Sequence, residues 1–97
     1  MLLWSFLTIP FFNGSTNAAN RFWIATTNSN WNNSTHWSAT SGGAGGASVP
    51  ASGDIVIFDG GGLGDCNINI DITILALNVQ AAYTSTISQG SNIIRVI

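Results

Sequence analysis

Apolar and polar positions follow strand-like patterns over 21–27 and from Asp54 onward. RFWIATT (21–27) places Phe22 and Ile24 on one face and Trp23 on the other, the pattern of a half-buried strand. IVIF (55–58) is an apolar strand ended by DGGG. CNINIDI (66–72) alternates strictly, with Ile68, Ile70 and Ile72 opposed to Asn67, Asn69 and Asp71, and reads as one strand. TILALNV (73–79) shifts phase to Leu75, Leu77 and Val79, which predicts a turn or bulge near Thr73 and Ile74. STIS (85–88) and NIIRVI (92–97) follow, separated by QGSN. No window carries a helical period. Short strands about ten residues apart, with Gly or Asn at the corners, predict an all-β sandwich, barrel or solenoid.

Two segments break this rhythm. MLLWSFLTIPFF (1–12) is nearly all apolar but falls short of the roughly 20 residues that span a bilayer. It has the look of a secretory h-region, with small residues for cleavage after Ala18 or Ala19, yet no basic residue precedes Arg21. The other reading is an arm buried in a partner, because Leu2, Leu3, Trp4, Phe6, Leu7, Phe11 and Phe12 each gain about 1.5–3 kcal/mol on burial. NGSTNAAN (13–20) is a polar linker. The second break, SGGAGGAS (41–48), contains only Gly, Ala and Ser. It lacks the Lys of a phosphate-binding P-loop, and a Pro and a strand follow it where a dinucleotide site needs a helix. Trp37 and Val49-Pro50 bracket it, so it reads as an ordered crossing in which small residues let the backbone pass close to the tryptophans.

Composition narrows the function. The 97 residues hold one domain, 45% hydrophobic and 6% charged, with net charge −2. Two arginines, Arg21 and Arg95, are too few to bind a phosphate backbone or an anionic membrane surface. A surface of Asn, Ser and Thr suits a protein packed against copies or partners. Cys66 stands alone and reads as a small buried hydrophobe. No catalytic set emerges: His36 is the sole His, there is no Glu and no GxSxG, so an enzyme is not expected and no cofactor is implied. FDGGGLGDCNI (58–68) partly matches a calcium β-roll repeat, but Gly64 runs directly into Asp65 and the repeat occurs once; no metal site is assigned. Trp23, Trp31 and Trp37, set among Asn and Ser, either shield the end of a β core or stack on a glycan. Sequons at Asn13, Asn32 and Asn33 matter only in a eukaryotic secretory pathway.

The run RFWIATTNSNWNNSTHWSATSGGAGGASVPASGDIVIFD resembles a segment of phage virion and tail-associated proteins and of some bacterial surface proteins. The shared features are an aromatic strand, the pairs Asn30-Trp31 and His36-Trp37, SGGAGGASVP, and a strand closing on Phe58-Asp59. CNINIDITILALNVQAAYTSTISQGSNIIRVI is similar to the β-solenoid coils that follow it there. The chain departs in having Ala25-Thr26-Thr27 where a glycine pair is common, and in its few coils. The resemblance implies a short parallel β-solenoid, with a β-sandwich as the alternative. Its parts are an N-terminal arm and linker (1–20), a Trp/Gly-rich cap (21–53) and solenoid-like strands (54–97).

The expected function is a structural component of a viral particle, such as a capsid decoration or tail or fibre component, located in the virion or outside the cell. It assembles with itself and with other structural proteins through the arm and through an exposed edge at Ile93, Ile94 and Val96. The alternatives are a secreted or cell-surface adhesive module, and a carbohydrate-binding module using the three tryptophans.

Overall fold

The computed structural model describes residues 18–97; the arm residues Leu2 to Phe12 and the linker up to Asn17 lie outside them. The protein is all-β, with one 3-10 turn at Ser34–His36 among the described residues. Nine short strands follow in order: β1 (Asn20–Trp23), β2 (Ser29–Asn30), β3 (Trp37–Ser38), β4 (Ile55–Phe58), β5 (Cys66–Asn67), β6 (Ile72–Ile74), β7 (Ala76–Val79), β8 (Ile87–Ser88) and β9 (Ile94–Val96).

They form three sheets, ordered β3-β1-β4-β7, β2-β5-β8 and β6-β9. Every pairing is parallel except β3 on β1. The chain therefore visits the sheets in turn and returns to the first. Ile55 pairs with Ala76, Cys66 with Ile87 and Ile72 with Ile94, so stacked partners lie 21, 21 and 22 residues apart. The first visit belongs to the same stack, because β1 pairs with β4 and β2 with β5. Residues 20–30 thus share sheets with residues 54–97.

The strand expected over 66–72 is two strands. β5 ends at Asn67 and β6 begins at Ile72, with a corner between them. Ile68 and Ile72 are both buried, so the alternation continues around the corner, where a sequence pattern cannot register the bend. The expected break near Thr73 and Ile74 falls at Leu75, a one-residue corner between β6 and β7. Its N–H donates to the Asp54 carbonyl at 2.9 Å, which aligns this corner with the start of β4 below it.

The core forms where the three sheets face one another. Val56, Phe58, Cys66, Ile68, Ile72 and Ile74 come from the second visit, and Trp23, Trp31, Trp37 and Tyr83 join them. β4 is central in its sheet, with β1 and β7 on either side. That explains a strand apolar at every position, three of whose four residues are buried.

Candidate functional site

The tryptophans do not present a surface. Trp23, Trp31 and Trp37 are each 0% exposed. Trp31 and Trp37 meet edge-to-face at 4.8 Å, Trp23 and Trp37 at 5.1 Å, and Trp23 stacks on Phe58 at 5.6 Å, separations at which aromatic pairs attract beyond their area burial. With no face open to solvent they cannot stack on a sugar in this conformation, and the glycan-contact expectation gives way to a role in the core. Sequence alone left both readings open, since proximity in sequence does not say which way a ring points.

Hydrogen bonds fix the cluster. Trp37 Nε1 donates to the Trp31 carbonyl at 2.8 Å. Trp23 Nε1 and the Tyr83 hydroxyl both donate to the Gly64 carbonyl, at 3.0 and 2.8 Å. A Cβ at Gly64 would run into the backbone of Thr27, so glycine there allows the close approach that places this carbonyl between two aromatic donors. Trp31 Nε1 is buried without an acceptor among the described residues.

The glycine-rich crossing is ordered over this cluster. Gly46 N–H donates to the Ser34 carbonyl at 3.0 Å and Ala47 N–H to the Trp37 carbonyl at 3.2 Å. Arg21 holds its far end, donating from Nε to the Ser48 carbonyl and from Nη2 to Ser48 Oγ, both at 2.9 Å.

The remaining chemical groups serve the backbone. His36 Nδ1 lies 2.8 Å from the Asn30 carbonyl; a carbonyl only accepts, so Nδ1 carries the proton. Asp65 Oδ1 accepts from Thr86 N–H at 3.0 Å and Asp71 Oδ1 from Ile93 N–H at 2.9 Å. These two carboxylates of the second visit thus each pin a residue of the third. Asp59 accepts from Gly61 N–H at 3.0 Å and from Ser41 Oγ. Cys66 is fully buried, and burial pushes its thiol up to about 12. Tyr83 is also pushed up to about 12, by burial first and then by the charges of Cys66 and Asp65. Among the described residues there is no pocket, no group of three metal-ligating side chains, and no helix long and apolar enough to cross a membrane.

What stands out is the end of the stack. β7, β8 and β9 are the last strands of their sheets. Register places Leu77 over Val56, Val79 over Phe58, Ile87 over Cys66, Ile94 over Ile72 and Val96 over Ile74. The lower member of each pair is at most 4% exposed. Above them Leu77, Val79 and Val96 are 37%, 49% and 53% exposed. These side chains occupy core positions with nothing stacked on them among the described residues. The structure brings Ile94 and Val96 from the expected interface to this end. Ile93 is exposed beside them, held by Asp71. Leu77, Val79 and Ile87 are not among the expected interface residues. The signal for them is the 21-residue offset that relates them to Val56, Phe58 and Cys66, seen only once in so short a chain.

The β1 end differs. There the outer edge of β1 is paired with β3, and the Trp37 carbonyl of β3 is taken by Ala47. Comparisons with protein-family models, with curated proteins and with solved structures gave no match.

Proposed function

We propose that this chain is a short parallel β-solenoid that serves as a non-enzymatic structural part of a viral particle, of the capsid-decoration or tail and fibre kind, and that it assembles through its open end. The parallel ladders at a 21–22-residue offset support the solenoid. One observation carries the assembly role: five columns of core side chains end in Leu77, Val79, Ile87, Ile94 and Val96, beside three strand edges that are unpaired among the described residues. Apolar ends and free edges draw further strands onto a stack. The near-absence of charge, 6% of residues, lets such a surface approach a neighbour without desolvating ions. The resemblance of the 21–59 segment to virion and tail-associated proteins supplies the viral setting, and residues 1–12 are proposed as a second apolar contact.

The test is quantitative mass spectrometry of particles purified from the source, set against the particle-free fraction. Enrichment of full-length chain at a fixed ratio to the major particle proteins is the expected result. A free chain lacking the first eighteen or nineteen residues, absent from particles, would sink the proposal in favour of a secreted adhesive module.

A further inference from the structure

We infer that the open end is filled by the same end of a second copy, in a two-fold dimer whose axis passes through Asn78. The inference rests on the assembly reading above and names its partner.

The backbone of β7 sets the register. Ile55 N–H points to β1, where it donates to the Ala19 carbonyl, and Gln80 N–H donates to the Phe58 carbonyl of β4. Backbone groups alternate direction along a strand, so Ala76 and Asn78 join Gln80 in facing β4. Leu77 and Val79 turn their N–H and C=O groups to the outer edge, which no other described residue occupies. Two copies of β7 brought together antiparallel about Asn78 set Leu77 opposite Val79 of the other copy, and Val79 opposite Leu77. Those are the residues with free N–H and C=O groups, so each such pair exchanges two hydrogen bonds. They are also the residues on the core side, so the same register closes the Val56 and Phe58 columns of one copy onto those of the other. An axis through Leu77 would oppose Ala76 to Asn78, whose backbone groups face β4, and leave only the Leu77 pair bonded.

The same two-fold exchanges the other two sides of the stack and lays β8 along the second copy's β9, bringing Ile87 toward Ile94 and Val96. No charged residue lies in β7 or β8, and the Arg95 of β9 alternates with Ile94 and Val96 onto the opposite face. An uncharged surface therefore meets an uncharged surface. The β1 end offers no such edge in the first sheet, because β3 occupies it, so two copies match open end to open end and closed contacts result, as is usual for two-fold pairs.

The experiment is sedimentation of the full chain, together with disulfide trapping of Asn78→Cys. Asn78 is exposed, and its directly opposed, non-hydrogen-bonded position brings the two Cα atoms to about 4.5 Å, within disulfide reach. The expected results are a species of twice the 10.2 kDa chain mass and near-complete covalent dimer for Asn78→Cys under mild oxidation. Ser88→Cys, exposed on β8, gives little. Val79→Lys, remaining folded by circular dichroism, sediments as a monomer. A monomer at all concentrations overturns the inference, as residues 1–12 covering their own chain would give. So does equal trapping at Ser88 and Asn78. If Val79→Lys unfolds, the cysteine pair still decides. A trapped dimer absent from any particle would refute the viral role alone; particle-bound chain that never traps at Asn78 would refute the dimer alone.

Discussion

The Gly64 carbonyl joins the aromatic core to the third turn of chain, and a double-mutant cycle measures that junction. It accepts from Trp23 Nε1 at 3.0 Å and from the Tyr83 hydroxyl at 2.8 Å. In Tyr83→Phe the carbonyl keeps its indole partner, so the loss is one ordinary hydrogen bond, about 0.5–1.5 kcal/mol. In Trp23→Phe the hydroxyl remains, and the loss is a similar bond plus the space left by the smaller ring, together about 2–3 kcal/mol. In the double variant a buried carbonyl has neither donor, and its unmet desolvation adds about 1–3 kcal/mol. The double variant is therefore less stable than the two single losses predict, by at least about 1 kcal/mol. A domain of this size has roughly 4–12 kcal/mol in all, so the singles stay folded and the double sits near the limit. Urea unfolding followed by far-ultraviolet circular dichroism gives the three values. Additivity within about 0.5 kcal/mol would mean that the two donors act independently, and the junction argument would be wrong.

Four further outcomes follow from the other contacts. Gly64→Ala forces a methyl group against the Thr27 backbone and destabilises by about 1–3 kcal/mol or more, read as a lower urea midpoint; an unchanged midpoint would show that the close approach is not required. The Cys66 thiol, buried and raised from 9.0 to about 12, stays unlabelled by thiol reagents at pH 8 until the chain unfolds, and fast native labelling would contradict its burial. Because Cys66 and Tyr83 both ionise more readily unfolded, the unfolded state holds fewer protons at high pH. Their stabilisation is complete below about 9 and is lost as pH rises toward about 12; a flat stability profile over that range would refute it. Asp71→Ala frees the Ile93 N–H and costs about 0.5–1.5 kcal/mol, with faster amide exchange across β9 while β4 stays protected; uniform exchange loss would show instead that the third turn is not held separately.

How much of this was legible beforehand depends on what each pattern encodes. IVIF predicts a strand over 55–58 and is β4 over those residues, because a short apolar run flanked by aspartates leaves little choice. The run 66–72 looks like one strand in sequence because alternation records inside and outside, and both persist around the corner between β5 and β6. SGGAGGAS was read as an ordered crossing, and its contacts with Ser34 and Trp37 have that character. The burial of Trp23, Trp31 and Trp37 was one of two readings, since an indole serves a core or a ligand equally well until its neighbours are known. The open end was seen only at Ile93, Ile94 and Val96. Leu77 and Val79 look like ordinary strand residues until β4 is placed beneath them, and that placement rests on parallel pairing between residues 21 apart.

The central claim is that the end formed by β7, β8 and β9 is covered when the protein is in its working assembly. Amide hydrogen exchange on the full chain, measured in the assembled form as isolated, tests this at single edges. The Leu77 and Val79 N–H groups are expected to exchange slowly, at rates comparable to the core strand β4. Exchange at those two amides as fast as at the exposed loop around Ser41 and Gly42, with β4 still protected, would show an end that stays open to water and would contradict the account.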